Sequence, residues 1–140
     1  MDFMLDGYCG LYCGACPAML GTRARTETTL CYGCKSDHPA GHCATCGIRA
    51  CARQQGYAFC YECADLATCE QMRKFMADEQ WPYHQGVLKN LEMIQRDGVA
   101  KWLEIQEERW RCANCRASHS WWDETCCQCG RTVANYRADL

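Results

Sequence analysis

The sequence predicts a small, mainly α-helical protein that is stabilised by metal ions. Cysteine accounts for 16 of the 140 residues, which is several times its frequency in ordinary globular proteins. Eleven cysteines lie before residue 70 and five after residue 111, and the stretch between them repeats apolar residues with helical spacing. We therefore expect a cysteine-rich lobe with short helices at 1–69, a helical segment packed on it at 70–111, and a zinc ribbon with a small β-ribbon at 112–140.

The expected compartment decides how these cysteines are interpreted. The chain opens with the acidic residues Asp2 and Asp6 where a signal peptide would be basic, and it has no apolar run of roughly 20 residues that could cross a bilayer. We therefore expect a cytoplasmic protein without a membrane segment. In a reducing compartment closely spaced cysteines are usually metal ligands, so the sequence indicates zinc bound at several sites.

All eleven cysteines of the N-terminal lobe are predicted metal ligands. Four Cys-x-x-Cys pairs occur among them, and two intervening residues let both sulfurs turn toward one ion. The set is Cys9, Cys13, Cys16, Cys31, Cys34, Cys43, Cys46, Cys51, Cys60, Cys63 and Cys69. Eleven exceeds two four-ligand sites by three. The sequence therefore favours two sites with a few unligated core cysteines, and it leaves open three sites if His38 or His42 supplies a twelfth ligand. Pro17 after Cys16, and the stretch 48–55 before Gly56, predict short helices.

The first three cysteines also permit an alternative cofactor. Cys9, Cys13 and Cys16 have the Cys-x3-Cys-x2-Cys spacing with which radical enzymes hold three irons of a [4Fe–4S] cluster. Such enzymes need a barrel domain, and nothing after Cys16 alternates strand with helix. A cluster completed by a fourth cysteine from elsewhere, acting in electron transfer or redox chemistry, remains the alternative to zinc.

The cysteine-free middle is predicted to contain three helices. The first begins after Asp65 and ends before 81–82, the second begins near Tyr83 and stops at 96–98, and the third spans 99–110. Their inward faces carry Leu66, Cys69, Met72, Phe75, Met76, Val87, Leu88, Leu91, Ile94, Val99, Trp102, Leu103 and Trp110. The residues of the third helix expected to face water are Glu104, Glu107, Glu108 and Arg109.

The C-terminal cysteines have the spacing of a zinc ribbon. Two Cys-x-x-Cys knuckles, ten residues apart, supply the four ligands of a tetrahedral site, which are Cys112, Cys115, Cys126 and Cys129. Gly130 suits the left-handed turn that often follows a knuckle, and Cys127 is predicted to be a spare thiol. Of Trp121 and Trp122, one is expected to cover the site and the other to be exposed, free to contact a protein partner.

No catalytic signature accompanies these cysteines. The chain has no phosphate-binding glycine loop, no H-E-x-x-H motif and no G-x-S-x-G motif, and its Cys-x-x-Cys pairs lack the βαβ context of thiol redox enzymes. The net charge of −2 does not favour nucleic-acid binding. His84 and His119 belong to no ligand pattern and are expected to be surface or core residues. We therefore expect a non-enzymatic interaction or adaptor protein.

Several motifs together resemble those of a known family. The segments 8–16 (YCGLYCGAC), 46–52 (CGIRACA) and 56–63 (GYAFCYEC) are similar to those of small prokaryotic cysteine-rich proteins of unknown function. The similarity continues through the helical segment to RWRC at 109–112 and the ribbon. The resemblance implies a cytosolic, metal-binding bacterial or archaeal protein and supplies no activity.

Overall fold

A computed structural model describes residues 2–26 and 30–140 of the chain. The α-helices of this part are α1 (Pro17–Ala24), α2 (Gly41–Ala44), α3 (Gly47–Gln55), α4 (Glu70–Ala77), α5 (Val87–Asp97) and α6 (Val99–Arg109). Single 3₁₀ turns occupy Cys13–Ala15, Cys60–Glu62, Leu66–Thr68, Pro82–Gly86 and Tyr136–Asp139. None of the helices in the described ranges is long and apolar enough to cross a membrane.

The short helices of the N-terminal lobe follow their sequence signals. Pro17 opens α1, where its missing N–H is not needed, and the left-handed residue Arg25 closes the helix. Helix α3 ends at Gly56, whose φ of 75° is the left-handed conformation that glycine adopts without strain. The predictions of a helix after Cys16 and of a helix closed by Gly56 are confirmed.

The first helix of the middle segment begins later than its apolar spacing predicts. Residues 66–68 form a 3₁₀ turn, and Cys69 is extended, with its Sγ accepting a hydrogen bond from the Met72 N–H at 3.5 Å. The thiol therefore caps α4, which starts at Glu70. The predicted start after Asp65 is wrong because Cys69 is a helix cap and not an interior residue of the helix.

The next two helices are in contact and are separated at Gly98, where the sequence predicts a break. Gly98 has a φ of 89° and separates α5 from α6. Helix α5 begins at Val87, after the 3₁₀ turn at 82–86, and not at Tyr83. Leu88 does not belong to the inner face, since it is 41% exposed while Val87 on the neighbouring face is fully buried.

One hydrophobic core joins the three parts of the chain. Trp102 of α6 is fully buried and meets Tyr12 of the N-terminal lobe edge to face, with ring centroids 6.1 Å apart. Trp121 of the tail belongs to the same core and stacks on Tyr83 at 3.9 Å. Other buried members of this core are Ala15, Ile48, Phe59, Met72, Val87, Leu91, Ile94 and Trp110.

Arg109 holds the C-terminal tail to α6. The prediction that its side chain faces water is therefore wrong. Its guanidinium donates hydrogen bonds to the carbonyl oxygens of Ala134 and Asn135, at 2.9 and 2.8 Å, and forms an ion pair with Asp139 at 3.1 Å. Because these carbonyls are part of the extended tail, the arginine replaces water as their hydrogen-bond donor.

The tail has little regular β-structure. Its described residues form isolated antiparallel bridges, Arg111 with Ser118 and Thr125 with Thr132, and not the small β-ribbon that was predicted. Each bridge joins the two ends of one cysteine knuckle. The residues between those ends form the turn that brings the two sulfurs together, so they form no further bridges.

Candidate metal centres

Four cysteine sulfurs of the C-terminal tail meet at one point. The Sγ atoms of Cys112, Cys115, Cys126 and Cys129 all lie within 4.8 Å of one another. The Sγ atoms of Cys112 and Cys129 are 3.6 Å apart, and those of Cys115 and Cys126 are 3.4 Å apart. A tetrahedral zinc ion with Zn–S bonds of about 2.3 Å requires sulfurs about 3.8 Å apart. The spacing of these sulfurs therefore suits a single metal ion.

The same backbone turn forms both knuckles. The Arg116 N–H donates to the Cys112 carbonyl at 2.9 Å, and the Gly130 N–H donates to the Cys126 carbonyl at 3.0 Å. Both residues that follow a knuckle are left-handed, with φ of 68° for Arg116 and 76° for Gly130. The glycine was recognisable from the sequence, whereas the left-handed arginine was not, because nothing in its residue type indicates positive φ.

Backbone N–H groups favour the thiolate form of the second knuckle. The Arg131 N–H, followed by the Asn114 side chain, holds the pKa of Cys129 down to about 6. The N–H groups of Cys129 and Gln128 lower the pKa of Cys126, and the Gln128 nitrogen lies 3.4 Å from its Sγ. The thiolate is the form that binds a metal, so these groups prepare the site for a cation.

The other tail residues singled out from the sequence take distinct positions. Cys127 is exposed and is not one of the four converging cysteines. Trp121 is 5% exposed and packs into the core, while Trp122 is 39% exposed at the surface. One tryptophan is therefore buried and the other accessible, and the buried one packs on Tyr83 of the helical segment.

The eleven N-terminal cysteines form two neighbourhoods. In the first, Cys51, Cys60, Cys63 and Cys69 line one cavity of about 40 Å³. Burial raises the pKa of Cys60 to about 12, and the thiols of Cys69, Cys51 and Cys63 add to the increase. The thiol of Cys46 adds to it as well, so the two neighbourhoods meet at Cys60. The remaining lining residues are Ile48, Ala52, Tyr57, Leu66, Gln71 and Met72.

The second neighbourhood contains the other seven cysteines. Cys13 and Cys34 lie next to each other, and their interaction raises the pKa of Cys13 and lowers that of Cys34 to about 7. A methyl group built on Gly7 would lie 3.7 and 3.6 Å from these two sulfurs. Burial raises the pKa of Cys16, whose thiol neighbour is Cys31. The group is Cys9, Cys13, Cys16, Cys31, Cys34, Cys43 and Cys46.

The N-terminal sulfurs are spaced more widely than those of the tail. Across residues 2–26 and 30–140, the tail quartet is the one group of three or more His, Cys, Asp or Glu side chains whose ligand atoms all lie within 4.8 Å. His38 and His42 therefore complete no such set there, and their ligand role stays an open prediction. The structure brings the predicted lobe ligands into two neighbourhoods without closing a single-ion site.

The two remaining histidines are core residues. The His84 ring stacks on Phe75 with centroids 3.6 Å apart, and its Nδ1 lies 3.0 Å from the Phe75 carbonyl oxygen. His119 is 2% exposed and packs edge to face on Trp110. Burial lowers the pKa of both rings, that of His84 to about 4. This agrees with the expectation that each histidine is a surface or core residue.

A family model matches half of the chain. The model is that of DUF3795, described as a protein of unknown function, and it covers residues 5–74. The chain belongs to the DUF3795 family. The DUF3795 region contains all eleven cysteines of the N-terminal lobe and ends before the ribbon. No curated protein and no solved structure matches the chain. The resemblance to an uncharacterised cysteine-rich family is confirmed, and DUF3795 membership supplies no activity.

Proposed function

We propose that this protein binds zinc through its C-terminal ribbon and acts as a non-enzymatic interaction protein. The convergence of the Sγ atoms of Cys112, Cys115, Cys126 and Cys129 within 4.8 Å carries the zinc assignment. Four thiolates fill the tetrahedral shell of Zn²⁺ and leave no position for a substrate or water. The set is therefore proposed as a structural site.

The structural role follows from the contacts of the tail. The His119 N–H donates to the Trp110 carbonyl at 2.9 Å, and the Trp121 N–H donates to the Ala15 carbonyl at 3.3 Å. These bonds join the segment between the two knuckles to α6 and to the N-terminal lobe. An ion that fixes both knuckles would hold this segment in place, and its binding free energy would contribute directly to folding.

An exposed aromatic surface supports a protein partner. Trp81 and Trp122 are 38% and 39% exposed, and their ring centroids lie 6.4 Å apart. Tyr136 meets Trp122 edge to face at 5.5 Å. Accessible tryptophans that stand side by side are typical of protein contacts. We propose this pair as the partner surface, in which Trp121 takes no part because it is buried.

The charges of the tail do not favour a nucleic-acid partner. Four arginines between the end of α6 and the C-terminus form ion pairs with acidic residues, namely Arg109 with Asp139, Arg111 with Glu107, Arg116 with Glu108 and Arg137 with Glu124. Paired guanidinium groups are less available to phosphates.

The free state of all sixteen thiols suits a reducing compartment, so we keep the cytoplasmic location as part of the proposal.

Zinc analysis of paired variants tests the ribbon site. In protein purified without oxygen, Cys126→Ser should bind one zinc ion fewer per chain than the wild type, because serine does not replace a thiolate ligand. Cys127→Ser, which changes the adjacent exposed thiol, should retain the wild-type zinc content. Equal zinc contents in the two variants would contradict the assignment. Circular dichroism of both proteins distinguishes loss of the site from loss of the fold.

A further inference from the structure

Three separate elements of the N-terminal lobe direct cysteines toward one cavity. Cys51 comes from α3, Cys60 begins a 3₁₀ turn that Cys63 ends, and Cys69 caps α4. All four line the same space. Their positions in the chain leave this grouping undetermined, since Cys51 belongs to no Cys-x-x-Cys pair and Cys69 lies six residues beyond Cys63. We call this set the lobe quartet.

The lobe quartet is spaced too widely for a single ion. No three of its sulfurs lie within 4.8 Å of one another, whereas the four ribbon sulfurs of the same chain do. A tetrahedral zinc site needs sulfurs spaced about 3.8 Å apart. A [4Fe–4S] cluster holds its thiolates further apart, because each thiolate binds a different iron. The lobe quartet therefore does not have the spacing of a single-ion site, although its four cysteines line one cavity.

The space between the thiols leads to the same conclusion. The cavity measures about 40 Å³, which is room for about three water molecules when one needs roughly 10–15 Å³ by this measure. Four sulfurs in contact with one zinc ion leave no such space between them. The walls are largely apolar, with Ile48, Leu66 and Met72 among them, and the cavity opens to the surface beside the exposed Cys51.

Hydrogen bonds of the nearby backbone fix the positions of the lobe-quartet cysteines. In these bonds none of the four thiols is a donor. The Cys60 N–H donates to the Tyr8 carbonyl at 2.9 Å, and the Cys63 N–H donates to the Cys60 carbonyl at 3.1 Å. The Glu62 carboxylate accepts the Phe59 N–H at 2.8 Å and so closes the turn. The Cys69 Sγ accepts the Met72 N–H at 3.5 Å, which fixes the position of this sulfur at the start of α4.

We propose that Cys51, Cys60, Cys63 and Cys69 bind a [4Fe–4S] cluster. On binding, each of the four thiols loses one proton, and each resulting thiolate binds one iron. This assignment differs from a cluster on Cys9, Cys13 and Cys16, whose sulfurs lie among seven thiols, with Cys13 beside Cys34. It goes beyond the ribbon zinc site and does not depend on it, because the two sites share no ligand.

Anaerobic reconstitution tests the proposal directly. Purified full-length protein is treated with equal amounts of ferrous and ferric iron and with sulfide, since two Fe²⁺, two Fe³⁺ and four S²⁻ make one [4Fe–4S]²⁺ core without a further oxidant. Wild type and Cys127→Ser should each bind four irons and four sulfides per chain. After one-electron reduction with dithionite, each should give the electron paramagnetic resonance signal of a [4Fe–4S]⁺ cluster. Cys63→Ser and Cys69→Ser should lose at least three quarters of the bound iron.

A milder variant keeps the test valid if those two proteins fail to fold. Cys51 is exposed on α3, so Cys51→Ser should fold and retain a cluster that lacks one ligand, recognisable by the resonance signal of a three-iron form after oxidation. Three results would each overturn the proposal. The first is equal iron in Cys63→Ser and wild type, and the second is iron loss in Cys13→Ser but in none of the lobe-quartet variants. The third is a wild-type protein that contains zinc alone. Zinc at the ribbon, measured in the same samples, tests the other site separately.

Discussion

His84 gives the protein a predicted loss of stability on mild acidification. The imidazole is 8% exposed and stacks on Phe75, and Tyr83 meets it edge to face at 4.9 Å. Burial lowers its pKa from 6.5 to about 4, against the opposing effects of the Phe75 carbonyl and of Asp78. His42 adds a small decrease in the same direction as burial. The folded protein therefore holds this ring neutral at pH values where the unfolded chain protonates it.

The size of the effect follows from the two pKa values. Above pH 6.5 the ring is neutral in both states, and its titration costs no stability. As the pH falls, the unfolded chain binds the proton first, so stability is lost progressively between pH 6.5 and about 4. Between pH 7 and pH 5 the loss is about 2 kcal/mol, an upper bound because the ring edge still meets solvent.

Urea unfolding of two proteins at two pH values measures this loss. His84→Asn keeps a nitrogen donor near the Phe75 carbonyl but has no proton to bind in this range. Acid also weakens metal–thiolate bonds, though equally in both proteins, so the comparison is between their pH-dependent differences. The free energy of unfolding should fall by about 2 kcal/mol more in the wild type than in the variant. Equal losses in the two proteins would refute the assignment of the pH sensitivity to His84.

Two further substitutions test the packing of the core by urea unfolding. Gly10→Ala should lower the free energy of unfolding by more than about 2 kcal/mol, because φ is +94° and the added methyl would lie 2.8 Å from the Val87 carbonyl oxygen. Gly86→Ala places its methyl in open space and should change stability by less than about 1 kcal/mol. Equal costs would contradict this reading. Trp102→Ala should cost about 3–5 kcal/mol. Trp102→Phe should cost less than half of that, because the buried indole N–H has no acceptor in the described part of the chain. A similar cost for both Trp102 variants would show that the N–H is satisfied.

Local signals in the sequence were enough to place several helix ends and the four converging cysteines of the tail. Pro17, Gly56 and Gly98 begin or end helices for reasons confined to their own backbone, so a single sequence reveals them. The start of α4 was not predictable in this way. Periodicity includes Cys69 in the helix, whereas its thiol caps the first turn, and a capping thiol has no distinctive sequence pattern.

The grouping of the N-terminal cysteines lay beyond sequence reasoning. Cys13 and Cys34 are 21 positions apart and become neighbours only when the lobe folds. The same holds for Cys51 and Cys69, which reach one cavity from α3 and α4. Spacing identifies pairs that share a turn and is silent about pairs joined by tertiary contacts. The ribbon was easier because ten residues separate its two knuckles.

Zinc-edge X-ray absorption of the wild-type protein, purified without oxygen from its natural source, tests the zinc proposal most directly. We predict a zinc ion surrounded by four sulfur atoms at about 2.3 Å and by no nitrogen or oxygen neighbour. That result would match the convergence of Cys112, Cys115, Cys126 and Cys129. Zinc bound through nitrogen or oxygen, or protein that contains no zinc, would contradict the proposal.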